Sequence, residues 1–204
     1  MFTLDHIAVA GHSRKEATSL VQSCLEEAPA AAGLHPHFGT HNHLWGMGAD
    51  CYLESIAINP EAPTPLFPRW FGLDHFFGQP RIASWILATL DINAAIDNLG
   101  PEFGTPITLE RGPYKWAISV SNTGELPFGG YGPALIQWDG TSHPCQDLAD
   151  SGCRLQTLVV QHPHAAKMQD TFGKMISDTR VRIVEGPSEI SAKIRTGSGV
   201  VLMK

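Results

Sequence analysis

The same run of elements begins three times along this chain, and that repetition limits the folds open to it more than any single motif. Residues 3–10, TLDHIAVA, read as a strand. A helix follows. Ser13 and Glu16 form an S-x-x-E capping box, which satisfies orphan amides at a helix start. Ala17, Leu20, Val21, Cys24 and Leu25 then recur at helical spacing. The stretch AAGLHPHFG breaks the helix, and residues 40–46 and 51–59 read as strands. The pattern restarts with a strand over 82–90, a short helix in DINAAIDNLG and strands near 106–110, 115–120 and 134–138. It restarts again with a strand over 154–160, an amphipathic helix marked by Ala165, Met168, Phe172, Met175 and Ile176, and three strands in RVRIVEG, SEISAKIR and GVVLMK.

Three β-α-β-β-β units form an internal repeat by pattern rather than by residue identity. Each is too short to bury both faces of its own sheet. The predicted fold is therefore α+β, with curled mixed sheets around a cavity. It is one domain of modules 1–59, 81–140 and 153–204, with a connector over 60–80. Two units closing on each other leave the third to cover an edge or to meet a second copy, so a homodimer is an expected partner arrangement. The connector is rich in Pro and Gly, which forbids a long regular element. It also carries Phe67, Trp70, Phe71, Phe76 and Phe77, too aromatic for a solvated linker, and so is expected to pack over something.

Composition narrows the function classes. The 204 residues are 43% hydrophobic and 17% charged, a globular balance rather than a disordered one. A net charge of -6 with scattered Lys and Arg leaves no basic stripe for nucleic acid. No apolar run reaches the ~20 residues of a membrane helix, and the N-terminus lacks a basic leader. Cys24, Cys51, Cys145 and Cys153 show no CxxC spacing and read as free thiols of a reduced, cytoplasmic compartment.

Ten histidines stand out, four of them between positions 35 and 43. His6 shares a strand face with Leu4, Ala8 and Ala10, small neighbours that leave room for a cavity. Glu54 lies in the last strand of the same unit beside Tyr52, Ile56 and Ile58, where a carboxylate needs a partner. In GTHNHL, His41 and His43 share one face and Asn42 points the other way. Two imidazoles and one carboxylate are a facial set for Fe, Mn, Ni or Zn. The expected metal ligands are His6, His41 and Glu54, with Glu54 also the proton-transfer group. A lone strand histidine is more often structural than ligating, and it is the combination that raises the reading. His35 and His37 read as loop residues. Arg69 and Arg111 are candidate anion contacts, and Trp70, Trp85 and Trp116 candidate walls. Asn42, His43 and Gln137 complete the expected small-molecule contacts.

LDHIAVAG at the N-terminus, GTHNHLWGMGADCYLESIAI over 39–58 and PRWFGLD over 68–74 resemble the glyoxalase-like domain proteins of the glyoxalase/bleomycin resistance/extradiol dioxygenase (vicinal oxygen chelate) superfamily. The resemblance implies paired β-α-β-β-β units and metal ligands at the first-strand His and last-strand Glu. Aligning the second unit puts Trp85 in the place of His6 and Gln137 in that of Glu54; in the third, Thr157 takes the place of His6. The resemblance implies a divalent-metal lyase, isomerase or dioxygenase acting on a small oxygenated molecule. The alternative is a metal-free small-molecule binding or sequestering protein of the same fold, with the aromatic residues as its walls.

Overall fold

The computed structural model describes residues 1–140 and 142–204. The first round of elements is β1 (Thr3–Ala10), α1 (Arg14–Leu25), β2 (Ala31–His35), β3 (Thr40–Gly46) and β4 (Tyr52–Ile58). The second is β5 (Arg81–Ala88), α2 (Ile92–Leu99), β6 (Thr105–Arg111), β7 (Tyr114–Val120) and β8 (Ala134–Trp138). Together they build one curled eight-stranded sheet in the order β2-β3-β4-β1-β5-β8-β7-β6. β1 runs parallel to β4 and β5 parallel to β8, while β1 and β5 meet antiparallel at the seam. Each round thus has the same wiring, mirrored across that seam.

Local chemistry sets the helix starts. Ser13 Oγ accepts from the Glu16 amide at 3.2 Å, and Asp91 Oδ1 accepts from the Ala94 amide at 2.9 Å. Strand β2 was expected as a helix-breaking stretch. It is short and Gly-containing, and its pairing with β3 rather than its composition makes it a strand.

The two faces of the sheet bury different things. Ala8, Ala10, Ile56, Ile86, Ile118 and Ile136 line the inner face. The connector fills that hollow with Trp70, Phe71 and Leu73, and Phe38 stacks on Trp70 at 4.3 Å. Gly124 locks the connector down: at φ +74°, with Arg69 carbonyl oxygen where a Cβ would go, only glycine fits. The outer face packs on α1, α2 and the third round.

That third round comprises β9 (Arg154–Gln161), α4 (Ala165–Thr171), β10 (Val181–Val184), β11 (Glu189–Arg195) and β12 (Val200–Met203). Its order is β10-β9-β11-β12, so the opening strand pairs in parallel with the next strand rather than with the last. It therefore differs in wiring from the first two. Leu158, Val160, Ala192 and Ile194 bury against the layer that holds Trp85 and Val21. Between the second and third rounds lies the one-turn helix α3 (Pro144–Asp147), entered through His143. All four cysteines are free, and no helix among the described residues is long and apolar enough to cross a membrane.

Candidate acid–base site

A bulge in β1 makes the site. The pairing with β5 steps from Leu4–Leu87 to His6–Ile86 and leaves Asp5 without an opposite residue. The local twist lets Asp5 and His6 both reach the inner side. Their contact is direct: His6 Nδ1 lies 2.6 Å from Asp5 Oδ1. The other Asp5 oxygen accepts from Trp138 Nε1 at 2.8 Å and His143 Nε2 at 3.0 Å. His143 Nδ1 accepts from the Cys145 amide, which leaves Nε2 to donate to Asp5.

On the other side of His6, Nε2 faces Glu54 Oε2 at 3.6 Å, beyond hydrogen-bond reach. Tyr52 stacks on the imidazole at 4.3 Å. Glu54 Oε1 accepts from Asn42 Nδ2 at 2.6 Å. His35 lies next in the chain of contacts. Its Nδ1 is 3.1 Å from Thr40 Oγ1, and its Nε2 meets Arg111 Nη1 at 3.3 Å. Arg111 comes from the end of β6 and reaches across the hollow to β2, where a methyl group on Gly33 would collide with Nη1 and with Asn42 Oδ1. Asn42 Oδ1 is buried without a partner. Asp5, His6, Asn42 and Glu54 are each at most 4% exposed.

The charges follow from these contacts. Burial works against a charged His6, but the hydrogen bond to Asp5 and the Glu54 carboxylate outweigh it and raise its pKa to about 9. Burial likewise opposes the Asp5 and Glu54 carboxylates. His143 and His6 nonetheless hold Asp5 well below its ordinary value, and His6 with Asn42 holds Glu54 low. His35 is the reverse case: burial pushes its pKa down to about 4, so it stays neutral and accepts from Arg111.

Other residues singled out by sequence lie elsewhere. Asn42, not His41, is the β3 residue that faces Glu54. His43 turns to the outer side, where its Nδ1 meets Thr18 Oγ1 of α1 at 2.9 Å, and His41 shares that side. His41 is therefore not brought to His6 and Glu54. Trp85 sits opposite Ile7 on the outer face, donates to Tyr131 carbonyl and packs on Phe172. Gln137 also faces outward and accepts from the Ile92 amide at the start of α2. The inward positions of β5 and β8 are Ile86 and Ile136, so the alignment that put Trp85 in the place of His6 and Gln137 in that of Glu54 is corrected by one residue at each. Arg69 is buried in an ion pair with Asp74 at 2.6 Å and holds the connector rather than facing the cluster. Trp70 approaches the cluster edge-on through His35, and Trp116 reaches it through Trp138. Sequence reasoning missed Asp5, His35 and His143. Only Asp5 left a signal, its place beside His6 in an otherwise apolar strand.

Residues 4–175 match the glyoxalase-like domain. The chain belongs to the glyoxalase-like domain family. A hypothetical protein from Staphylococcus aureus is similar in structure with a TM-score of 0.60, at 15% identity over 92% of this chain and 88% of that one. A Streptomyces coelicolor methylmalonyl-CoA epimerase bound to 2-nitronate-propionyl-CoA shows a TM-score of 0.46 at 11% identity, over 70% of this chain and 100% of that one. The Mycobacterium tuberculosis methylmalonyl-CoA epimerase shows 0.44 at 16%, over 68% and 88%. No curated protein matches the chain.

The resemblance seen in the sequence implies a divalent metal. The donors in this glyoxalase-like protein do not fit one. Among the described residues, no three His, Cys, Asp or Glu side chains converge on a common point. His6 and Glu54 face each other, but the second round offers Ile86 and Ile136 where further ligands are needed. The His6 imidazolium offsets one of the two carboxylate charges, and the Arg111 guanidinium lies next in line, so two cations already oppose a dication.

The buried histidines predict a stability maximum near pH 6.5. His35 is depressed from 6.5 to about 4, so its contribution is present above 6.5 and lost as pH falls toward 4. His6 is raised from 6.5 to about 9, so its contribution is present below 6.5 and lost as pH rises through about 9. Each swing is on the order of 3 kcal/mol. Urea midpoints measured from pH 4.5 to 9 should peak near the middle. A midpoint that stays flat from pH 6.5 to 9 would show that His6 is not held as a cation.

Proposed function

We propose that this protein is an acid–base enzyme that moves a proton on a small oxygenated anion, at a carbon next to a carbonyl. The observation that carries the reading is the ion pair of His6 Nε2 and Glu54 Oε2, 3.6 Å apart on the inner face. A carboxylate base and an imidazolium donor lie side by side there, at a distance too long for a good hydrogen bond. Glu54 accepts the proton from carbon. His6 Nε2–H donates to the oxygen on which negative charge develops, and Asp5 holds that imidazole in orientation. Asn42 fixes the Glu54 oxygen that does not react. Arg111 forms no ion pair among the described residues and serves as the anion contact. It and His143 are partly exposed at the rim of the cluster. The chemistry needs no metal at this cluster.

Deuterium wash-in tests the reading. In D2O, the enzyme should speed exchange of the hydrogens next to the carbonyl of small 2-oxo acids, beginning with pyruvate and followed by proton NMR. A chelator should leave the rate unchanged. Saturable binding of the acids with no exchange would point instead to a metal-free binding protein, with Trp116 and Trp138, 5.5 Å apart, as its wall.

A further inference from the structure

The connector does two jobs, and the acid–base reading uses only one of them. Trp70 and Phe71 plug the inner hollow, Phe76 packs at its edge, and Phe77 turns out to solvent. With Phe71 and Tyr131, Phe76 and Phe77 line a separate cavity of about 590 Å³ between the connector, the loop before β8 and the third round. That volume suits a small organic molecule. The cavity lies at the end of the β1–β5 seam where Ala10 is opposite Arg81. His6 is opposite Ile86, five residues further along β5 and so about 17 Å away.

Arg81 gives this cavity its chemistry. Its guanidinium lies 4.5 Å over the Phe76 ring and 5.8 Å from that of Phe77. Nη1 donates to the carbonyls of Phe77 and Gln79, at 2.7 and 3.3 Å, which fixes the plane. Nε and Nη2 have no partner among the described residues, and no carboxylate pairs with Arg81 there. By contrast, Glu189 and Lys204 on the same wall neutralise each other at 3.1 Å, and Glu125 is exposed to solvent. Phe77 is 76% exposed, a large apolar face with nothing covering it. An oriented cation with a free donor edge, set among aromatic rings, matches a planar ring that bears a carboxylate.

We infer that this cavity binds a small planar aromatic carboxylate, independently of the cluster around Glu54. Titration calorimetry with 2-naphthoate tests this, with 2-naphthylmethanol as the uncharged probe of the same shape. The acid should bind one to one with a dissociation constant below about 1 mM. The alcohol should bind at least about tenfold more weakly. R81Q should bring the acid down to the level of the alcohol. F77A removes a side chain that is already exposed, so the fold is kept, and it should weaken both probes severalfold. R111Q, which removes the anion contact of the inner cluster, should leave the titration unchanged. Absence of saturable binding, equal affinity for acid and alcohol, or acid binding indifferent to both R81Q and F77A overturns the inference. So does loss of binding in R111Q, which would place the probe in the inner hollow.

Discussion

Asp5→Ala is expected to cost about 3–5 kcal/mol of folding stability, the range for removing one partner of a buried ion pair. Asp5 is 3% exposed and accepts from His6, Trp138 and His143. Alanine would leave the buried His6 Nδ1 and the partly buried Trp138 and His143 nitrogens without this acceptor, and His6 with only the more distant Glu54 carboxylate. The pKa of His6 should therefore fall from about 9. Asp5→Asn keeps the shape and one acceptor oxygen, and should cost less while still lowering that pKa. Urea unfolding gives the first quantity and an NMR titration of the His6 ring gives the second. If Asp5→Ala unfolds within about 1 kcal/mol of the native protein, the bulge does not hold the cluster as described here.

Glu54→Gln should reduce deuterium wash-in by about 10²–10⁴-fold, the usual contribution of a positioned general base. Stability should change far less, because a glutamine oxygen can still accept from Asn42 Nδ2, now 2.6 Å from Glu54. Substrate affinity should be nearly unchanged as well, since the anion contact is Arg111. A loss confined to the rate constant separates a base from a residue that only shapes the site. A Glu54→Gln protein within threefold of the native rate would remove Glu54 from the chemistry and the proposed reaction with it.

Much of the frame could be read directly from residue order. The strand face shared by His6, Ala8 and Ala10, the capping serine at position 13 and the aromatic density of the connector all correspond to observed features, whereas Leu4, expected on the same face as His6, lies on the outer one because the bulge at Asp5 intervenes. Period-two alternation also separated Asn42 from His41 and His43. It could not say which of those two faces becomes the inside. That depends on which way the sheet curls and which layer covers it, and α1 takes the side of His43 through Thr18. The metal-ligand role expected of His41 rested on the opposite choice.

What this chain determined by itself is the recurrence of strand, helix and strands, because hydrophobic spacing and caps are local properties. Tertiary structure decided the rest. The bulge at Asp5 arises only when β1 pairs with β5, so the shift from Trp85 to Ile86 had no trace in either strand alone. The meeting of Arg111 with His35 joins positions 76 residues apart, and only the closing of the curled sheet brings them into contact. The third round repeats the element order but not the wiring, because strand pairing is chosen by the surface available to cover, here the outer layer around Trp85, and not by element order.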